Sequence, residues 1–222
     1  MSQGPWVVAV TGASGGIYAL RLIDCLLAAD QEVALSISRS GAAVLRHETG
    51  LDVSLDAFDA HRLWTRPDGR PWWTALHGPF AEGRSVPAEG RGALRYYDHR
   101  DFMAPIASGS HRTRGMVICP CSGGTLSGVA HGSCDNLIER AAEVHLKEGR
   151  TLVLVPRETP VSRGYLQNLV RAARGGAVVL PAMPAFYQGH ASVHDLVDFI
   201  IARILDQFSI EHALSRRWGA SP

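Results

Sequence analysis

The sequence predicts an α/β fold of the Rossmann-like or flavodoxin-like kind, a three-layer sandwich with a mostly parallel sheet. Three observations carry this. Apolar, β-branched runs alternate with amphipathic segments along the chain. Two of those runs end at turns of small and hydroxylated residues that lead straight into helical patterns. The chain has 222 residues, 46% hydrophobic and 19% charged, which suits one folded domain with a sizeable core. We read residues 1–222 as that single domain, with an irregular excursion at about 62–97.

The first strand is 6–10, and it stops at Thr11-Gly12-Ala13-Ser14-Gly15-Gly16. A helix follows at once, with Ile17, Leu20, Ile23, Leu26 and Leu27 at helical spacing. Strand, Gly-rich turn and helix aim backbone N–H groups at an anion. Gly12 and Gly15 let a ligand approach the backbone, and Thr11 and Ser14 add hydroxyls. Two readings stay open here: a phosphate cradle for a nucleotide or flavin, or a tight turn with an N-cap serine. Ala13 and Ser14 break the G-x-G-x-x-G pattern, which favours a mononucleotide.

A second strand, 32–38, leads to a short helix at 41–49 that carries Arg46, His47 and Glu48. Residues 51–100 are punctuated by Pro and Gly and contain Trp72-Trp73, which either docks on a partner or closes a local core. The small, hydroxylated stretch 104–110 reads as a loop beside a ligand. A third strand, 115–119, runs into Pro120-Cys121-Ser122-Gly123-Gly124-Thr125, a second small-residue turn before a helix. A helix at 137–148 and a buried strand at 151–155 follow. Ser162 caps a helix through Ala173, which Gly175-Gly176 ends. A strand at 177–180, a Pro-rich loop at 181–190 with Phe186-Tyr187, and a helix capped by Ser192 and running to about Phe208 complete the chain. Ligands of open α/β sheets bind outside the carboxyl ends of the strands, where both small-residue turns lie.

Composition narrows the function. Net charge is +1 with no basic face, which argues against nucleic acid as a partner. No apolar run has the length of a membrane span, and the first strand comes too early for a signal peptide, so a cytoplasmic location is expected. Cys25, Cys119, Cys121 and Cys134 read as free thiols. The ten histidines form no paired metal-ligand pattern, and no metal is expected. Of the 22 lysine and arginine residues only Lys147 is a lysine, which hints at a role that needs an ammonium. Gly12-Ala13-Ser14-Gly15-Gly16 fits the G-x-S-x-G frame of hydrolases, but no acid-then-histidine pair follows at later strand ends.

Several charged residues are candidates for chemistry. Arg140 and Lys147 are seven apart on one helix and project from one face. Arg157-Glu158 lies just past a strand end. Arg203 sits among apolar neighbours in the last helix, where a charge needs a partner. Each also fits a solvated surface.

Taken together, these stretches identify a resemblance. The chain resembles the UbiX-type flavin prenyltransferases, a family of homo-oligomeric flavoproteins. The residues that carry it are Thr11-Gly12-Ala13-Ser14-Gly15, Ala107-Ser108-Gly109-Ser110, Cys119-Pro120-Cys121-Ser122 with Thr125-Leu126, Asn136-Leu137-Ile138-Glu139-Arg140-Ala141-Ala142, Leu146-Lys147-Glu148, Pro156-Arg157-Glu158, Pro184-Ala185-Phe186-Tyr187 and Ala202-Arg203. They span about 1–50 and 101–218.

The resemblance implies a reaction that joins a dimethylallyl group to N5 and C6 of reduced FMN. The donor is dimethylallyl monophosphate or the pyrophosphate, no metal takes part, and the product serves UbiD-type decarboxylases. It implies that Gly12, Ala13, Ser14, Ser38, Ser122, Gly123, Gly124, Thr125 and Arg140 hold FMN. Lys147, Arg157, Glu158, Tyr187 and Arg203 then surround the prenyl phosphate, in a site completed across a subunit interface of an oligomer, commonly a dodecamer. Cations and a proton donor around an allylic phosphate are what its ionisation requires, with Glu158 as general acid. The resemblance places Ser14 and Glu48 to relay the proton from flavin N5. Where the family often has tryptophan before Met-Ala-Pro, this chain has Phe102, a weaker π face for an allyl cation, so a slower step or a changed donor preference is expected. Two other readings stand beside this one: a flavoprotein cysteine decarboxylase, and a non-catalytic FMN carrier or accessory subunit of a decarboxylase.

Overall fold

The computed structural model describes residues 4–65, 67–69, 72, 92–187, 192–215 and 219. Its strands are β1 (Trp6–Val10), β2 (Val33–Ile37), β3 (Leu94–Tyr96), β4 (Gly115–Cys121), β5 (Leu152–Pro156) and β6 (Val178–Val179). The helices among the described residues are α1 (Gly16–Ala28), α2 (Arg39–Thr49), α3 (Gly123–His131), α4 (Leu137–Lys147), α5 (Arg163–Arg174) and α6 (Val193–Gln207). The strands form one sheet in the order β3-β2-β1-β4-β5-β6, and every neighbouring pair is parallel. That is the doubly wound order, with its reversal between β1 and β4.

Both faces of the sheet are covered, so the strands read as continuous apolar runs. Trp6, Val8 and Val10 face a core shared with α1 and α6, including Leu22, Leu26, Ile201 and Ile204. Val7 and Ala9 face the opposite core, with Leu126 of α3, Ile138 and Ala141 of α4 and Ala172 of α5. The expected caps are present: Ser162 Oγ accepts from Tyr165 N–H, and Ser192 forms a reciprocal capping box with Asp195.

Three expectations are refined. β3 lies inside the stretch expected to be irregular, as a three-residue edge strand beside β2. β4 continues two residues past the expected end, to Cys121. The 104–110 loop holds a 3-10 turn, Pro105–Ala107. Most of the 62–97 excursion lies outside the described residues, as do Trp73 and residues 188–190 of the Pro-rich loop. Trp72 is described and is 1% exposed, packed into the α1-side core, so for this residue the core reading holds.

The α1–α6 seam buries charge. Arg21 Nε donates to Asp198 Oδ1 at 2.7 Å. Asp24, one turn along α1, is 5% exposed. Burial pushes its carboxyl up to about 7, against the opposing pull of Arg21 and a hydrogen bond from Trp72. A carboxyl that holds its proton more tightly folded than unfolded loses stability as pH rises from its unfolded toward its folded value. Asp24→Asn is therefore expected to stabilise the protein increasingly between about pH 4 and pH 7, reaching a few kcal/mol and levelling off above that. Denaturant titrations of both proteins across that range measure it.

Candidate functional site

Four segments that follow strands meet at one rim of the sheet. Thr11 joins the ends of β1 and β4: its hydroxyl donates to Pro120 O at 2.7 Å and accepts from Ser122 N–H at 2.8 Å. Thr11 is 1% exposed, so this two-sided bridge sits away from water and fixes the spacing at the point where the strand order reverses.

Beside Thr11, the glycine turn packs tightly on its neighbours. A methyl at Gly12 would lie 2.6 Å from the Ser40 side chain. Gly15, at φ +113°, takes a backbone conformation that other residues avoid. The first amides of α1 are not open to a ligand. Gly15 N–H donates to both Glu48 oxygens at 3.0 Å, and Gly16 N–H donates to Glu48 Oε2 at 2.9 Å. Of the two readings of this turn, neither stands unchanged: a carboxylate from the end of α2 occupies the helix N-terminus, and Gly15 rather than Ser14 is the N-cap residue. Ser14 itself is exposed, and its carbonyl accepts from Arg157 Nε at 3.2 Å.

The ends of α2 and α3 are capped differently, each by a serine of its own chain segment. Ser38 caps α2, accepting from Gly41 N–H at 3.0 Å, and its hydroxyl lies 3.2 Å from that of Ser40. Ser122 caps α3, accepting from Thr125 N–H at 3.3 Å and donating to Thr125 Oγ1 at 3.0 Å. Gly123 and Gly124 form the first turn of α3, and the space beside Gly124 is open. Two serine-capped helix ends that flank a glycine turn suit a phosphorylated mononucleotide.

Arg157 and Glu158 follow β5 at the same rim. Glu158 is exposed, and Thr159 N–H donates to its Oε1 at 3.1 Å. Two tyrosines that sequence reasoning missed also border this crevice. The Tyr18 ring packs on Gly15, and burial raises its phenol, with Cys119 and Glu48 acting the same way and Arg157 opposing. The Tyr165 ring lies 3.4 Å from where a Gly123 Cβ would stand, and burial, Cys121 and Glu158 push its phenol up to about 12. The signal for both was positional: each sits in the first turn of a helix that begins at the rim.

The remaining candidates lie elsewhere on the chain. Arg140 and Lys147 do share a face, as expected. Arg140 Nε donates to Ala107 O at 3.1 Å, and Lys147 pairs at 3.5 Å with Glu148, which packs on Gly109. Lys147 nevertheless ends α4 five residues before β5 starts, at the edge of the sheet opposite the rim. Arg203 pairs with Asp206 at 2.8 Å and lies five residues before Phe208, which stacks on Trp6 at the start of β1. Tyr187 is 62% exposed and meets Phe199 edge-on, with ring centroids 6.2 Å apart. Phe102 is exposed beside Met103. One chain therefore gathers Gly12, Ala13, Ser14, Ser38, Glu48, Ser122, Gly123, Gly124, Thr125, Arg157 and Glu158, and separates them from Lys147 and Arg203.

The flavoprotein family model matches residues 1–205. The flavin prenyltransferase UbiX of Pseudomonas aeruginosa is 47% identical over 212 residues, covering 96% of this chain and 92% of that protein. The crystal structure of AnUbiX (PadA1) in complex with FMN and dimethylallyl pyrophosphate aligns with a TM-score of 0.79 at 33% identity, over 99% of this chain and all of that one (100%). A dodecameric FMN-dependent UbiX-like decarboxylase from Escherichia coli O157:H7 aligns with a TM-score of 0.77 at 34% identity, over 97% of this chain and 100% of that one.

The Glu48 contact generates a prediction. Glu48→Ala leaves two helix-end amides without their acceptor and is expected to cost about 1–2 kcal/mol in a denaturant titration. Inorganic phosphate should then raise the melting temperature of the variant more than that of the parent protein, because the vacated amides accept an anion.

Proposed function

We propose that this chain, which belongs to the flavoprotein family and within it to the flavin prenyltransferases, joins a dimethylallyl group from dimethylallyl phosphate to N5 and C6 of reduced FMN. The observation that most supports this reading is the approach of Arg157-Glu158 to the glycine turn, through Arg157 Nε and Ser14 O. It sets a cation and a carboxyl beside a mononucleotide crevice. A non-catalytic carrier has no use for that pair.

FMN, when bound, supplies the ring positions that form the new bonds. Gly12, Ala13, Ser14, Ser38, Ser122, Gly123, Gly124 and Thr125 would hold it, together with Arg140, which lies on α4 outside the group that one chain gathers. The serine-capped ends of α2 and α3 suit its phosphate. The residues of the chain then act on the donor. Arg157, Lys147 and Arg203 offset the charge of the prenyl phosphate as its C–O bond breaks. Glu158 gives that leaving group a proton as general acid. Tyr187 closes the phosphate side, and Phe102 offers its ring face to the allyl group. Ser14 and Glu48 carry away the proton released at N5. The three amide hydrogen bonds to Glu48 also hold Gly15, and with it the neighbouring Ser14, in place.

Lys147 and Arg203 lie away from the rim of their own chain, so they reach the prenyl phosphate of a neighbouring copy. The enzyme then works as a homo-oligomer, a dodecamer in this reading. Its product passes to a UbiD-type decarboxylase, and both steps belong to the cytoplasm. Among the described residues no helix is long and apolar enough to cross a membrane.

The test is anaerobic incubation with reduced FMN and dimethylallyl monophosphate or pyrophosphate, followed by mass spectrometry of the extracted flavin. A gain of one C5H8 unit is expected. Unchanged flavin with both donors, despite tight FMN binding, would favour the carrier instead. Glu158→Gln should keep FMN affinity while product formation falls by about a hundredfold or more. Full activity in that variant would remove Glu158 as the acid.

A further inference from the structure

The only lysine of the chain is held by a built arrangement that the reaction scheme above does not use. Lys147 Nζ lies 3.5 Å from Glu148 Oε1. The opposite oxygen of that carboxylate faces Arg150, with Nη2 at 3.9 Å. Arg150 is itself fixed: Nη2 donates to Gly109 O at 2.6 Å, and Nη1 donates to His111 O at 2.8 Å and to Thr113 Oγ1 at 3.2 Å. The carboxylate lies where a side chain at Gly109 would stand, so a methyl there would overlap Glu148 Oε1. Glycine at 109 is thus a space requirement, and its backbone is clamped by the same arginine that faces the carboxylate.

From this geometry we infer that Glu148 is a positioning residue for Lys147, and that Gly109 and Arg150 are the seat that holds Glu148. A lysine ammonium rides on four flexible bonds and presents no fixed direction by itself. A carboxylate seated on two sides narrows where the ammonium rests. Here that carboxylate packs on Gly109, in the loop whose Ser108 and Ser110 hydroxyls lie 2.9 Å apart. An incoming phosphate then meets an ammonium whose direction is already narrowed. This inference rests on the reading of Lys147 as a prenyl-phosphate cation.

A single lysine makes the inference measurable without turnover. Reductive methylation with 13C-formaldehyde places dimethyl reporters on Lys147 and on the terminal α-amine and keeps the lysine charge; the resonance missing from a Lys147→Arg variant is that of Lys147. In the FMN-loaded, full-length protein, its methyl resonance should shift saturably as dimethylallyl monophosphate is added. Glu148→Gln removes the carboxylate charge, and Gly109→Ala displaces the carboxylate without removing it. Both should raise the titration midpoint about two- to five-fold, the range expected of a half-exposed ion pair, with FMN affinity unchanged. In the unmodified enzyme the same change should appear in KM for the prenyl phosphate more than in kcat. If the parent resonance responds and both variants titrate with its midpoint, Glu148 does not position Lys147. A loss of FMN affinity in both variants would make Glu148 a residue of the fold and also overturn the inference. A parent resonance indifferent to the phosphate would remove Lys147 from the site, and this inference with it.

Discussion

All six strands point the same way, and this one constraint distributes the chemistry. A residue that follows a strand lies at the rim, and a residue that precedes one lies at the opposite edge. Ser14, Ser38, Ser122, Arg157 and Glu158 all follow strands. Lys147 precedes β5 by five residues, after α4 has run its 11 residues, about 16 Å. The Thr11 hydroxyl, shared between Pro120 O and Ser122 N–H, holds the ends of β1 and β4 at the spacing on which the crevice depends. Glu158 and Lys147 thus lie toward opposite ends of the strands.

Glu48 shows a second consequence of crowding helix ends at one rim. Several N-termini there compete for negative charge. The protein satisfies α1 with a carboxylate carried on α2, whereas α2 and α3 are capped by their own Ser38 and Ser122. The tight packing of Gly12 on Ser40 and of Gly16 on Leu45 brings α2 close enough to do this. Holding Gly15 fixes the adjoining Ser14, so a contact that stabilises a helix also sets the place of a candidate proton carrier.

The sheet was legible because strands buried on both faces keep near-continuous Val, Ile and Leu, and helix starts were legible at Ser162 and Ser192 because capping is local. β3 was not: Leu94-Arg95-Tyr96 is a half-buried edge strand too short to show a period. The rim residues of the site could be read from their places after strands. The role of Glu48 at α1 could not, because it joins positions 33 and 32 residues apart. The Gly109–Glu148 contact spans separate segments in the same way. The place of Lys147 follows from the same rule as the rim residues, because it ends the helix that precedes β5 in a sheet expected to be mostly parallel.

The division of the site between chains is tested most directly by mixing two disabled proteins. Lys147→Ala and Glu158→Gln subunits, each inactive alone, are co-expressed in equal amounts and the mixed oligomers assayed for prenylated flavin. If the two residues of a site come from different subunits, random assembly restores about a quarter of the sites, the product of two independent halves. If both residues act within one chain, every site in the mixture carries one defect and no activity returns.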